Sequence, residues 1–117
     1  MIPILQGMKV YLALGSVDMR KAIDGLSRFV AGSMEMDPFS GHLFVFCNRR
    51  KDNLKMLLWG RNGFWLIQKR LERQRFRWPR TEKDVMELGI RELSWLLEGL
   101  DPIQTMGHRE LNNSTIL

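Results

Sequence analysis

The chain has 117 residues, 44% of them hydrophobic and 26% charged, with a formal net charge of +5; this is long enough for one domain with a real core and too apolar for a disordered chain. No apolar run approaches the roughly 20 residues that cross a bilayer, which speaks against a membrane protein. The opening stretch MIPILQGMKVYLALG, with Lys9 as its one charge, lacks the basic start of a signal peptide, and the single Cys47 excludes an internal disulfide, so a reducing cytoplasm is the expected location.

In chain order, VYLAL (Val10–Leu14) reads as a first strand, broken by Gly15 and Ser16. Apolar residues then fall at Met19, Ala22, Ile23, Leu26, Phe29 and Val30, one face of an α-helix. Asp18 is the expected N-cap and Gly32 the expected stop. DPFSG (Asp37–Gly41) is dense in turn formers, HLFVFC (His42–Cys47) in strand formers, and NRRKDN (Asn48–Asn53) is a polar loop. LKMLLW (Leu54–Trp59) is a second apolar run. Asn62-Gly63 signals a hairpin into a third strand, FWLIQKRL (Phe64–Leu71). RFRWP (Arg75–Pro79) alternates basic with aromatic residues and predicts a half-exposed edge strand ending at Pro79. VMEL (Val85–Leu88) adds a short strand. Ile90, Leu93, Leu96 and Leu97 mark a second amphipathic helix that stops at Gly99, with Leu100 folding back on it.

The fold class expected from this reading is α+β in the order β-α-β-β-β(-β)-α. An antiparallel meander carries a long helix on one face, and a short C-terminal helix closes the chain. Residues 1–102 are expected to form one domain, and 103–117 a polar, mobile tail.

Charge is unevenly spread. Residues 1–48 hold four basic and four acidic groups, 49–80 hold eleven and two, and 81–117 hold three and seven. In a meander alternate loops share one end of the sheet, so the loops at 48–53 and 72–74 should meet. Arg49, Arg50, Lys51, Lys69, Arg70, Arg73, Arg75 and Arg77 are therefore the candidate nucleic-acid-binding residues. Arginine prevails among them, and its planar fork suits phosphate oxygens in pairs. No base-reading helix accompanies them, so weak sequence preference is expected. Two other readings stay open: an ordinary solvated face whose long stems cover apolar surface, or docking on an acidic protein. At the other end Trp59, Phe64 and Trp65 flank the hairpin turn. They either stack on bases or a partner, or simply pack in the core.

Catalysis is poorly supported. His42 and His108 are the only histidines, Cys47 has no spaced partner, and no glycine-rich phosphate loop occurs. Neither a metal nor a cofactor is expected. Asp18, Asp24 and Asp37 are better explained as a cap, a solvated helix face and a turn. A metal-dependent nuclease built on Asp18 is the third class of function considered.

GSVDMRKAIDGL (15–26), DPFSGHLFVFCNRRKDNLKMLLW (37–59), NGFWLIQKRLERQRFRWP (62–79) and LSWLLEGLD (93–101) together resemble the TnpB accessory protein of the insertion-sequence sixty-six family of bacterial mobile elements. The resemblance covers about residues 8–102. It implies a role in DNA transposition beside a separate DDE-type transposase, and it brings no catalytic residues. With the basic charge added, the expected partners are element-end DNA, held through its backbone, and that transposase. The runner-up reading is an adaptor that docks on the transposase through the same basic and aromatic surface. Three positions depart from the family pattern. Val17 stands where threonine is usual, removing a capping hydroxyl. Gln74 stands where glycine is common, which costs about 1 kcal/mol if φ must be positive there. Cys47 stands where arginine is frequent, removing a charge from the expected rim.

Overall fold

The two most apolar short runs of the sequence lie side by side at the centre of one sheet. In the computed structural model, which describes residues 7–103, β1 (Val10–Ala13) and β2 (Leu43–Cys47) pair in parallel, Val10 opposite Leu43 and Leu12 opposite Val45. All five residues of β2 are buried, as befits a strand covered on both faces, where alternation gives way to a continuous apolar run. β3 (Asn53–Gly60) pairs antiparallel with β2, and β4 (Gly63–Arg70) antiparallel with β3. β5 (Val85–Leu88) joins the other side of β1, also antiparallel. The order across the sheet is β4-β3-β2-β1-β5. The class is α+β, and the five-stranded sheet is mixed.

Each face has its own core. On one, Ala13, Phe44, Phe46 and Leu57 meet Leu26, Val30 and Met34, supplied by α1 (Ile23–Gly32) and the turn after it. On the other, alternate residues of the same strands, among them Leu12, Val45, Leu54 and Leu58, meet Leu93 and Leu96 of α2 (Ile90–Leu97) together with Phe76 and Trp78. Burying a side chain the size of Phe44 or Leu58 contributes about 1.5–3 kcal/mol, so the two faces supply most of the driving force. Gly99 takes φ 85°, its N–H donates to the Leu96 carbonyl and that of Leu100 to the Trp95 carbonyl, which closes α2.

The structure departs from the sequence reading at four places. First, the sheet is not an antiparallel meander throughout, because β1 lies parallel to β2. Second, α1 has ten residues and starts at Ile23, after Ala22. The Asp18 carboxylate does not cap it; it accepts from the Arg20 N–H at 2.9 Å and pairs with the Arg20 guanidinium at 2.7 Å. The physical cause sits across the fold. The buried Lys55 ammonium takes the Met19 carbonyl at 2.7 Å and the Lys21 carbonyl at 2.9 Å, so those carbonyls receive a charge-assisted donor in place of a helical N–H. The first helical bond runs from the Leu26 N–H to the Ala22 carbonyl. Third, Gly60 pairs with Gly63, so the two turn residues are Arg61 and Asn62, one position earlier than the Asn-Gly signal implied. Arg61 accordingly sits at φ 32°, in left-handed space that disfavours a side chain.

Fourth, Arg75–Pro79 is not a strand. The alternation is real, since Phe76 and Trp78 are buried and Arg75 and Arg77 exposed. The segment, however, packs its aromatics over the α2 face of the sheet and extends no edge. It is held by single bonds: the Phe76 N–H to the Lys51 carbonyl at 2.7 Å and the Trp78 Nε1–H to the Ala13 carbonyl at 3.0 Å. The expected tail falls, beyond Ile103, outside the described residues.

This packing predicts a sharp contrast between neighbours. Trp78→Ala should lower unfolding free energy by about 3–5 kcal/mol, through lost burial and a cavity. Arg77→Ala should change it by less than about 0.5 kcal/mol. Urea denaturation of the two variants checks this.

Candidate nucleic-acid interface

The polar loop after β2 is organised by its first residue. The Asn48 side-chain carbonyl accepts from the N–H groups of Asp52 and Asn53, both at 3.1 Å, and its amide donates to the Asp52 carboxylate at 2.7 Å. This frame holds Lys51 at φ 63°, a strained conformation for a non-glycine residue. It also presents two successive carbonyls to the chain beyond β4: the Leu71 N–H donates to Asp52 at 2.8 Å, and the Phe76 N–H to Lys51 at 2.7 Å. Residues 48–53 and 71–76 are thereby joined through backbone bonds.

Within this frame the eight candidate basic residues have different surroundings. Arg49 and Arg50 are exposed, and Lys51 is half-buried. Arg73, Arg75 and Arg77 are exposed and line one open cleft of about 620 Å³ with Gln74, Phe76 and Gly99. Among the described residues Arg49, Arg73, Arg75 and Arg77 form no ion pair, whereas Arg50 lies 3.9 Å from Asp52 and Arg70 3.0 Å from Glu72. Lys69, at the far end of β4, donates to the Leu97 carbonyl at 2.7 Å and so caps the C-terminus of α2. The hydrogen bond from Asn48, then the charges of Arg50 and Arg75, hold the Asp52 carboxyl below its usual range against partial desolvation.

The aromatic residues gather at the opposite end of the β3–β4 hairpin. Trp59 and Phe64 are half-buried and in mutual ring contact at 4.9 Å, and Phe39 completes the cluster at 5.0 Å from Trp59 and 5.3 Å from Phe64. Phe39 is itself 56% exposed and Trp65 42%. Trp65 lies on the other sheet face, its indole against Gly60, beside a cleft of about 410 Å³ that Met8 and Leu58 also line.

Two of the sequence departures look different in place. Gln74 is not among the described non-glycine residues with positive φ, so no backbone strain attaches to it. Cys47 is fully buried in the core on the α2 face, and its side chain is no part of a charged rim. The acidic residues considered for metal binding are separate. Asp18 pairs with Arg20, a hydrogen bond that lowers its pKa to about 2. Asp24 is in the first turn of α1, and Asp37 receives the Phe39 N–H. The His42 Nδ1 accepts the Lys9 N–H at 3.1 Å. His108 lies outside the described residues. Sequence reasoning did not single out Asn48, Lys55 or Phe39. An asparagine opening a loop is a turn signal for the first; nothing local marks the second, whose partners are 34 and 36 residues away.

A small mixed sheet, with a helix on each face and an arginine-bearing segment strapped across one of them, defines an α+β scaffold. The chain matches the IS66 Orf2-like protein family, TnpB, over residues 8–107, and it belongs to that family. It is 37% identical over 101 residues to a protein of Sinorhizobium fredii (strain NBRC 101917 / NGR234) described as uncharacterized protein y4hO, covering 86% of this chain and 88% of that one. Uncharacterized protein y4jC of the same strain is 33% identical over 96 residues, covering 82% of each chain. No solved structure matches the chain. The family is an accessory-protein family rather than a known catalytic one, and membership suggests a role in IS66 transposition. No helix among the described residues is long and apolar enough to cross a membrane.

Burial pushes the Cys47 thiol up from 9.0 to about 11. Between these values the unfolded chain has lost the proton that the native one keeps, so stability falls as pH rises from about 9 to about 11 and levels off above. The expected loss is up to roughly 3 kcal/mol, seen as the difference between the pH profiles of the wild type and Cys47→Ala in urea denaturation. Native protein at pH 8 should react slowly with a disulfide reagent, and urea-unfolded protein quickly.

Proposed function

We propose that the chain is a non-catalytic accessory protein of IS66 transposition. It grips the DNA backbone with basic residues of the 49–80 stretch and positions element ends for a separate transposase. The observation that carries this reading is the set of exposed guanidiniums of Arg73, Arg75 and Arg77 along one cleft, on a segment bonded to the loop that bears Arg49 and Arg50. Unpaired cations held within a Debye length, about 8 Å, repel one another, and phosphate oxygens relieve that repulsion while releasing counterions. Lys69 and Arg70 contribute less to the grip, since each already has a partner. Contacts of this type go to phosphates, so the chain discriminates weakly between sequences.

The exposed rings of Phe39 and Trp65 favour a second reading, an adaptor docked on the transposase with aromatic anchors.

A mobility-shift salt series separates the two. With four to six phosphate contacts, log affinity should fall against log salt with a slope of about −4 to −5, on element-end and random duplex alike. Replacing Arg73, Arg75 and Arg77 together by alanine should weaken that slope by roughly 3. Absence of a shift with either duplex at low salt would refute the DNA grip and leave the adaptor.

A further inference from the structure

The sheet has two edges, and they differ. β5 has four residues. β4 has eight, and among the described residues only β3 pairs with it. The direction of its free groups can be read from the ladder. The Leu71 N–H donates to the Asp52 carbonyl, one step beyond the Asn53–Arg70 pair. Bonded and non-bonded positions alternate along an antiparallel pair. The odd-numbered residues of β4 therefore bond to β3, and Phe64, Leu66, Gln68 and Arg70 point their N–H and carbonyl groups outward. A row of unpaired backbone groups of this length is a template for another strand.

We propose that β4 pairs antiparallel with β4 of a second copy of this chain, joining two five-stranded sheets into one about a two-fold axis at Ile67. The composition of the strand selects this occupant. Its first half is aromatic (Phe64, Trp65) and its second half polar and basic (Gln68, Lys69, Arg70). A parallel neighbour would set cation beside cation. An antiparallel copy sets each basic half against the partner's aromatic half. Keeping each helix-covered face continuous across the join requires even-numbered residues to meet even-numbered ones. The register centred on Ile67 meets this condition: Phe64 faces the partner's Arg70, Trp65 the partner's Lys69, and Leu66 the partner's Gln68. Arg70 then lies beside the partner's Phe64, a favourable cation–aromatic pair, the stem of Lys69 lies beside the partner's Trp65, and no like charges are opposed. Leu66 and Gln68, whose N–H and carbonyl groups point outward, supply the central hydrogen bonds. Trp65, 42% exposed in the single chain, becomes covered by the stem of the partner's Lys69, which is already pinned to the Leu97 carbonyl of its own α2.

Sedimentation velocity of the full chain tests this. Wild type should run at twice the monomer mass and dissociate on dilution. Gln68→Pro removes an outward N–H and no backbone bond to β3; it loses the side-chain bond from Gln68 to Asn53, as Gln68→Ala also does, so Gln68→Pro should be folded by circular dichroism and monomeric, while Gln68→Ala, the control for that lost bond, should still dimerise. Ile67→Cys gives a check that does not depend on the proline variant folding. In the proposed register the two Ile67 positions form a non-hydrogen-bonded pair about 4.5 Å apart at Cα, within disulfide reach, so this variant should oxidise to a covalent dimer while Trp65→Cys should not. The buried Cys47 does not compete. A wild type that stays monomeric at high concentration, a dimer that survives Gln68→Pro, or failure of Ile67→Cys to cross-link would each overturn the proposal.

Discussion

The bond from the Phe76 N–H to the Lys51 carbonyl, 2.7 Å long, fixes the course of the chain after β4. Phe76 and Trp78 are large apolar groups in a stretch without strand partners, and their burial must compensate for the loss of ladder hydrogen bonds. The Lys51 carbonyl satisfies one backbone donor of that stretch, and the Trp78 indole is satisfied by the Ala13 carbonyl. With Phe76 and Trp78 committed to the core, an extended backbone leaves Arg75 and Arg77 no direction but outward. The exposure of these two arginines along the cleft is thus a by-product of anchoring two aromatic rings, and a chain that lost the anchors would lose the arrangement of the cations with them.

A second polar constraint holds the other face. Lys55 points from the middle of β3 into the α1 side and donates to two carbonyls of the turn at 19–21. A buried ammonium is costly unless hydrogen-bonded, and two backbone acceptors offset much of that cost. The same contact keeps residues 18–21 out of the helix, so that Asp18 and Arg20 pair with each other at the surface. Asn48 does comparable work for the loop at 48–53, where it answers two backbone donors and one carboxylate. In both places one side chain from a strand or its end sets the path of a loop that the apolar core does not touch.

These constraints distribute the surface of the protein. Cations concentrate where the loop after β2 meets the segment after β4. Aromatic rings concentrate around the β3–β4 turn, about the length of a strand away. A single strand, β4, runs between the two and carries both characters along its length. The charge of the chain is thus polarised along one strand. Membership in the IS66 Orf2-like family suggests a role in IS66 transposition.

The sequence by itself determined the membership, through motif blocks such as DMRK, DPFSG and KRLE-RFRWP, and the α+β class, through apolar periods that are properties of neighbouring residues. It also determined which residues between Arg75 and Trp78 face in and which face out, because alternation belongs to any extended backbone. Only the tertiary structure decided that this segment crosses a face of the sheet, that Asp18 does not cap α1, that β1 lies parallel to β2, and that Cys47 is core. The first three of those outcomes turn on a partner far along the chain: Lys51 and Ala13 for the aromatic segment, Lys55 for the turn before α1, Leu43 and Val45 for β1. A hydrogen bond or a strand pairing between residues 25 or more positions apart leaves no local period to read, so the choice among paths that satisfy the same pattern is made only when the chain is assembled.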